Sequence, residues 1–241
     1  MTTLKTALFF TGTCRSLEYT YENLKKNLID TIGECDIFVF LAENPHAHKF
    51  EKYFGNLPQV KKIIIEKEPE FDISNMKFRP NWPNVNSSRQ IYIKMIKSRQ
   101  RCNSVLEQYE QENDIKYERI IFSRLDVKYF GSAGIYLKNL DNDHLYVPDF
   151  HNTFGNVIDG YNDRFAVGNR RDMSFYFNVP DSIDQFNACG GLISAEALLK
   201  WHLVRNEVNV RKIPIRFTRV RGDGEEVDLR LVSRVLQQSY T

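Results

Sequence analysis

The sequence has almost no net charge. In 241 residues, 33 Lys and Arg stand against 31 Asp and Glu, a formal balance of +2. Nucleic-acid binders carry a large basic excess and acidic tails a large acidic one, so neither class fits. Long apolar runs are missing too. The run from Ala7 to Phe10 is too short for the core of a signal peptide or for a membrane span. This predicts a protein of the cytoplasm, the host cytoplasm if the chain is viral, without a membrane span. Cysteine is scarce: Cys14, Cys35, Cys102 and Cys189 lie far apart and make no C-x-x-C pair. They read as reduced thiols, not as disulfides or a zinc site. The glycosylation sequon Asn86-Ser87-Ser88 has no consequence without secretion. With 12 glycines and 8 prolines the chain is below the level that marks disorder. There is no G-x-G-x-x-G and no G-x-x-x-x-G-K-[ST], which argues against dinucleotide enzymes and P-loop NTPases.

What is present is an apolar fraction of 42%, enough for a real core at this length. Strand and helix signals alternate through the first half. Lys5–Phe10, Asp36–Ala42, Val60–Glu66 and Tyr117–Ser123 read as buried strands. Leu17, Tyr21, Leu24, Leu28 and Ile32 mark one face of a helix. A long helix is expected from about Ser88 to Glu112, with Ile91, Met95, Cys102, Leu106 and Tyr109 inward. Strands separated by helices of this length predict an α/β fold, a mainly parallel sheet covered on both faces. In the second half, Leu145–Pro148 and Arg164–Val167 read as short strands, Asp172–Asn178 and Ser194–Val204 as helices. Val208–Val220 reads as a strand or hairpin, and Val227–Gln238 as a closing helix. The stretch Glu68–Asn86, with three prolines, is the longest expected loop; a binding lid and a plain connector are both open for it.

Ligands of open parallel sheets sit beyond the C-terminal strand ends, which singles out Thr11–Arg15, Glu43–His48 and Arg124–Asp126. Thr11, Gly12, Thr13 and Arg15 follow a strand, where backbone N–H groups and an Arg can meet a phosphate; an ordinary β–α turn is the alternative. Asp126 projects from a strand end, a place for a divalent metal on a diphosphate or for a turn cap. Asp141-Asn142-Asp143 is a literal D-x-D, but it follows no strand and reads as a turn. From Asp141 to Asp184 there are eight Asp and no Glu; Asp149, Asp159 and Asp163 are candidates for sugar contacts or a base. His46 and His48 have H-x-H spacing but read as solvated loop residues. Trp82 and Trp201 read as packing residues. Six basic residues between Arg205 and Arg221, with Arg216, Arg219 and Arg221 near strand spacing, suit an anionic ligand or a charge-guarded edge strand.

Taken in order, these pieces resemble a family. A strand ends in T-G-T-C-R-S, a D-I-F-V-F strand follows, and a long helix runs into Y-E-R-I-I-F-S-R-L-D. Then come V-P-D, N-D-R-F-A-V-G and an A-E-A-L-L-K-W-H-L helix. The sequence resembles GT-A-type glycosyltransferases that build viral and bacterial surface glycans, most nearly those of chlorella viruses that decorate the major capsid protein. I-I-F-S-R-L-D and N-D-R-F-A-V-G carry most of the likeness.

The resemblance implies a single GT-A-like domain over 1–241, with a nucleotide-binding half at 1–127 and a sugar- and acceptor-binding half at 128–241. Thr11, Gly12, Thr13 and Arg15 would contact the donor nucleotide, with Arg89 and Arg124 as further candidates. Asp126 would take the metal role of the family's D-x-D, for Mn²⁺ or Mg²⁺. Asp163 would lie near the transferred sugar or the acceptor, and Glu196 beside the site, with Arg219 and Arg221 as further candidates. An inverting route needs a carboxylate base, Asp163 before Asp149, and a retaining route needs none there; both routes are open. The sequence departs from the family in having Arg124 where the first Asp belongs, and no His after His202. The expected partners are a nucleotide-diphosphate sugar, a UDP-sugar first, and a glycan or glycoprotein acceptor, with no nucleic acid. A non-catalytic nucleotide- or glycan-binding module is the alternative.

Overall fold

The computed structural model describes residues 4–79, 85–151 and 160–227. Trp82, Asp159 and the expected closing helix beyond residue 227 lie outside these. In chain order the elements begin with β1 (Thr6–Gly12), α1 (Leu17–Asn27), β2 (Asp36–Ala42), α2 (Lys49–Phe54) and β3 (Val60–Glu66). Then come α3 (Val85–Asn113), β4 (Arg119–Arg124), β5 (Val127–Tyr129), α4 (Gly134–Leu137), β6 (Leu145–Pro148) and β7 (Phe165–Asn169). The chain continues with α5 (Arg170–Phe177), α6 (Ile183–Ala188), α7 (Ala195–Arg205), β8 (Val210–Ile213), β9 (Phe217–Val220) and β10 (Glu226–Val227).

Among the described residues one seven-stranded sheet runs β3-β2-β1-β4-β7-β6-β8. The first four strands are parallel; β7 is antiparallel to both β4 and β6, and β8 is parallel to β6. Side chains alternate across a strand, so each central strand feeds two cores. Phe9, Phe38 and Phe40 face α3, α5 and α7, whereas Leu8, Phe10, Val39 and Leu41 face α1 and α2. Burial on both faces explains why these strands read as unbroken apolar runs. Phe9 stacks on Phe38 with ring centroids 5.0 Å apart, and Phe177 closes on Phe9 edge-on.

This layout places the site. The connection after β1 uses α1 on one face, and the one before β4 uses α3 on the other. Strand order therefore reverses between the adjacent strands β1 and β4, where open α/β sheets bind ligands. A smaller sheet, β10-β9-β5, stands beside the end of β4. The Asn23 side chain pins β5 to α1: Tyr129 N–H donates to Asn23 Oδ1 at 2.6 Å and Asn23 Nδ2 donates to the Tyr129 carbonyl at 3.0 Å. Thr20 Oγ1 donates to the Leu125 carbonyl at 2.7 Å. The bend after Arg124 is thus held at both ends.

Two expectations are corrected. Val208–Val220 is not a hairpin: β8 joins the large sheet beside β6, and β9 joins the small one beside β5. Alternation gives a strand's faces but not its partner. Ile91 is 66% exposed; the inward stripe of α3 is led by Tyr92, Ile93 and Ile96, which meet the sheet. No helix among the described residues is long and apolar enough to cross a membrane.

Candidate active site

The parallel register sets Thr11 beside Arg124 across the β1–β4 boundary. Thr11 is buried, and Gly12 ends β1 at φ 128°, a conformation that suits glycine alone. A Cβ on Gly12 would meet nothing within 4 Å, so open space lies above this turn. Thr13 precedes a short 3₁₀ turn that carries the exposed Arg15. The β9–β10 turn leans against it: a Cβ on Gly222 would lie 3.4 Å from Arg15 Cδ. Arg15 and the exposed Arg221 therefore flank the mouth of the same region.

Beneath them lies a cluster of charges. Arg124 grips Asp126 with two hydrogen bonds, Nε to Oδ1 at 2.7 Å and Nη2 to Oδ2 at 2.6 Å. Asp126 is only 7% exposed. Burial pushes its carboxyl up, but Arg124, aided by Arg219 and Arg164, outweighs burial and holds it below the usual range. Arg219 arrives on β9, opposite Val127, and the Val220 N–H donates to the Asp126 carbonyl at 2.8 Å. Burial lowers the Arg219 guanidinium to about 10, with Arg124, Arg221 and Arg164 adding to the drop and Asp126 opposing it. It stays protonated at neutral pH.

Asp163 sits in the turn before β7. Asn162 shapes that turn: its Nδ2 donates to the Phe150 carbonyl at 3.0 Å and its Oδ1 accepts from the Arg164 N–H at 2.9 Å. Asp163 pairs with Arg99 of α3 at 3.5 Å and with Arg164 at 3.2 Å. Burial alone would raise its carboxyl; Arg164, Arg99, Arg124 and His151 reverse that and lower it. Glu196, in the first turn of α7, lies 3.5 Å from Arg164 Nη1 and 3.7 Å from His151 Nε2. For Glu196 burial wins, Arg164 offsets it only in part, and the carboxyl is raised. Burial, with Arg164, drives His151 down to about 3, so its ring is neutral. Two buried carboxylates beside one guanidinium are thus pushed apart, the pattern that separates a fixed charge from a proton acceptor.

The structure brings together Thr11, Gly12, Arg124, Asp126, Asp163, Glu196 and Arg219. Asp149 follows β6 at the same end of the sheet, exposed and paired with Arg216. Arg89 lies ten residues before Arg99 on α3, about 15 Å along the axis, with its guanidinium 5.0 Å from the centre of the Phe78 ring. Asp141 and Asp143 lie at the opposite, N-terminal end of β6, where Asp141 Oδ1 accepts from the Asp143 N–H and from His144. That D-x-D is a turn. His46 and His48 are exposed in a turn, and Trp201 packs on Phe186.

The sequence reading missed Arg99, Arg164 and His151. Arg99 had a signal: an Arg at the inward spacing of α3, four residues after Met95. Its Nη1 donates to the Asp163 carbonyl at 3.1 Å and to the Tyr176 hydroxyl at 3.4 Å.

Divalent metals are common among GT-A-like glycosyltransferases, and Asp126 was the residue expected to hold one. The residues present do not fit that role. Both Asp126 oxygens already accept from Arg124, and Arg219 and Arg164 act on the same carboxylate. Hard cations need several oxygen ligands. No group of three His, Cys, Asp or Glu side chains among the described residues comes together to supply them.

An open sheet with this strand order, covered on both faces and with a cluster of buried charges at the reversal point, is a GT-A-like fold. The solved apo structure of mouse xyloside xylosyltransferase 1 has the same fold at a TM-score of 0.50 and 11% identity, over 87% of this chain and 84% of that one. No curated protein matches the sequence. The chain belongs to the family described as Domain of unknown function (DUF7796), which matches residues 1–221.

Proposed function

We propose that the protein is a glycosyltransferase that moves a hexose or deoxyhexose from a nucleotide-diphosphate sugar, a UDP-sugar first, to a glycan acceptor. One observation carries the reading. At the reversal point of a GT-A-like sheet, Arg164 Nε and Arg219 Nε are buried with no hydrogen-bond partner among the described residues, while Arg164 Nη1 is ion-paired with Asp163 and Glu196. Buried donors without partners are costly, and a phosphate oxygen is the acceptor a planar guanidinium fits best.

In this reading residues 1–127 hold the nucleotide and 128–241 the sugar and acceptor. Thr11, Gly12, Thr13 and Arg15 face the nucleotide, and Arg124, Arg164 and Arg219 the diphosphate. Arg89 and Arg221 are peripheral. Asp163 is held ionised by three guanidiniums and is a weak base; its role is to position them. Glu196, whose carboxyl is raised, suits the proton of an acceptor hydroxyl better, and Asp149 stands second. The capsid-protein acceptor rests on the sequence resemblance alone.

The test is a thermal-shift panel of UDP-, GDP- and dTDP-sugars, followed by transfer assays. A true donor raises the melting temperature by mass action. The reading fails if no sugar nucleotide shifts it. Binding without donor hydrolysis or transfer to any glycan would instead establish a non-catalytic module.

A further inference from the structure

The mismatch between Asp126 and a divalent cation has a positive counterpart. We propose that this chain holds the donor's diphosphate with guanidinium groups alone, Arg124, Arg164 and Arg219 in the cleft and Arg15 and Arg221 at its mouth, with no divalent cation between carboxylate and phosphate. The proposal rests on the nucleotide-sugar reading and specifies how the leaving group is held.

Three observations carry it. First, Asp126 is occupied. Arg124 binds both of its oxygens, at 2.7 and 2.6 Å, in the paired geometry that makes the strongest protein ion pairs. A metal seeking this carboxylate has to displace a guanidinium two residues away on the same chain.

Second, the surroundings are already cationic. Arg219 and Arg164 act on Asp126, and Arg124, Arg164 and Arg99 act on Asp163. Arg219 also feels Arg124, Arg221 and Arg164 as like charges. Arg99, Arg124, Arg164 and Arg219 outnumber the carboxylates of Asp126, Asp163 and Glu196, which those guanidiniums already engage, so the balance favours an anion over a dication. The cleft is built for an anion.

Third, donors wait in it. Arg164 Nε and Arg219 Nε are buried and make no hydrogen bond among the described residues. Arg164 Nη1 keeps only ion-pair distances, 3.2 Å to Asp163 and 3.5 Å to Glu196. Phosphate oxygens accept from forked planar donors, and Arg is preferred over Lys for that geometry. Asp126 and Asp163 hold the forks in line before the donor arrives.

In the transfer itself the bond between the anomeric carbon and the β-phosphate oxygen breaks, and its electron pair stays on that oxygen. The departing nucleoside diphosphate gains one negative charge. The acceptor hydroxyl oxygen bonds to the anomeric carbon, and its proton passes to Glu196. Guanidiniums fixed around the phosphate meet the new charge where it develops, without rearrangement.

Titration calorimetry of uridine, guanosine and thymidine diphosphates into the full chain tests the proposal, once in EDTA and once in MnCl₂. One diphosphate is expected to bind with affinities within about threefold in the two buffers, and Arg219→Ala to weaken it at least about tenfold. Arg219→Gln is the second variant, keeping the side chain's bulk if alanine perturbs the β9 strand; unchanged melting of either confirms the fold. Binding more than about tenfold weaker in EDTA, or unchanged in both Arg219 variants, overturns the guanidinium-only cradle and leaves the glycosyltransferase reading standing. Failure of all three diphosphates in both buffers overturns both.

Discussion

Arg99 and Asp163 meet inside the protein, each only 2% exposed, with Nη2 and Oδ2 3.5 Å apart. Arg99 comes from the middle of α3 and Asp163 from the turn before β7, so their pair ties the helix layer to the edge of the site. Removing one partner leaves a buried charge uncompensated. Asp163→Ala is expected to lose about 3–5 kcal/mol in urea unfolding. The double variant Arg99→Met, Asp163→Leu is expected to recover only part of that loss, because Arg164 also pairs with Asp163, at 3.2 Å. A single-variant loss below about 1 kcal/mol would show that the pair is solvated.

Stability should fall with pH from the neutral side. His151 titrates at 6.5 when unfolded and at about 3 when folded, so the folded chain binds fewer protons between these values. Its contribution is complete above about pH 6.5 and lost as pH falls toward 3, at up to about 1.4 kcal/mol per pH unit. His202 shifts in the same direction, by burial. Glu196 is raised and acts oppositely, stabilising relatively as it takes up a proton. His151 has φ 51°, which Asn tolerates. His151→Asn should flatten the melting-temperature profile between pH 6.5 and 5. Parallel profiles would place this ring in water.

Gly160 lies against the first turn of α7. A Cβ there would come within 2.5 Å of Glu196 Cβ and 2.6 Å of its backbone carbon. Gly160→Ala must push the helix start away, at a cost of about 1–3 kcal/mol, and should weaken diphosphate binding with it. Wild-type melting and affinity would show that the loop yields freely.

The literal D-x-D gives a negative control. Asp141→Asn and Asp143→Asn act at the opposite end of β6 from the cluster. Their diphosphate affinity should match wild type. A tenfold loss would move the site to that end of the sheet.

Thiol chemistry checks the fold directly. Cys14, Cys35 and Cys102 are buried and Cys189 is exposed, all free. Burial pushes the Cys14 and Cys35 thiols up to about 12. Ellman's reagent should find one fast thiol in the native protein and four after denaturation, with Cys189→Ser removing the fast one.

The central strands were legible because burial on both faces leaves them apolar throughout: Asp36–Ala42 and Leu145–Pro148 stand where the sequence puts them. Val60–Glu66 is also a strand, but it is the sheet's edge and not buried as expected, with Ile63 and Ile65 exposed, because an apolar run does not reveal whether a neighbour covers it. Arg124, Asp126 and Glu196 were legible as polar residues adjoining such elements. Arg99 was not, because a charge on a helix ordinarily faces water, and only its inward spacing hinted otherwise. Arg164 was overshadowed by the Asp before it. The separate fates of β8 and β9 were hidden for another reason: period-2 alternation is the same whichever sheet receives the strand.

That separation has a consequence for how the protein comes into being. Val127 pairs with Arg219, and Leu145 with Val210, so the last parts of the cleft are recruited across long stretches of chain. Contacts so distant in sequence form late. Synthesis runs from the N-terminus, so Arg124 and Asp126 are made before Arg219. The nascent chain therefore holds Arg124 and Asp126 before Arg219 exists, and the proposed cradle is complete only once β9 has been added.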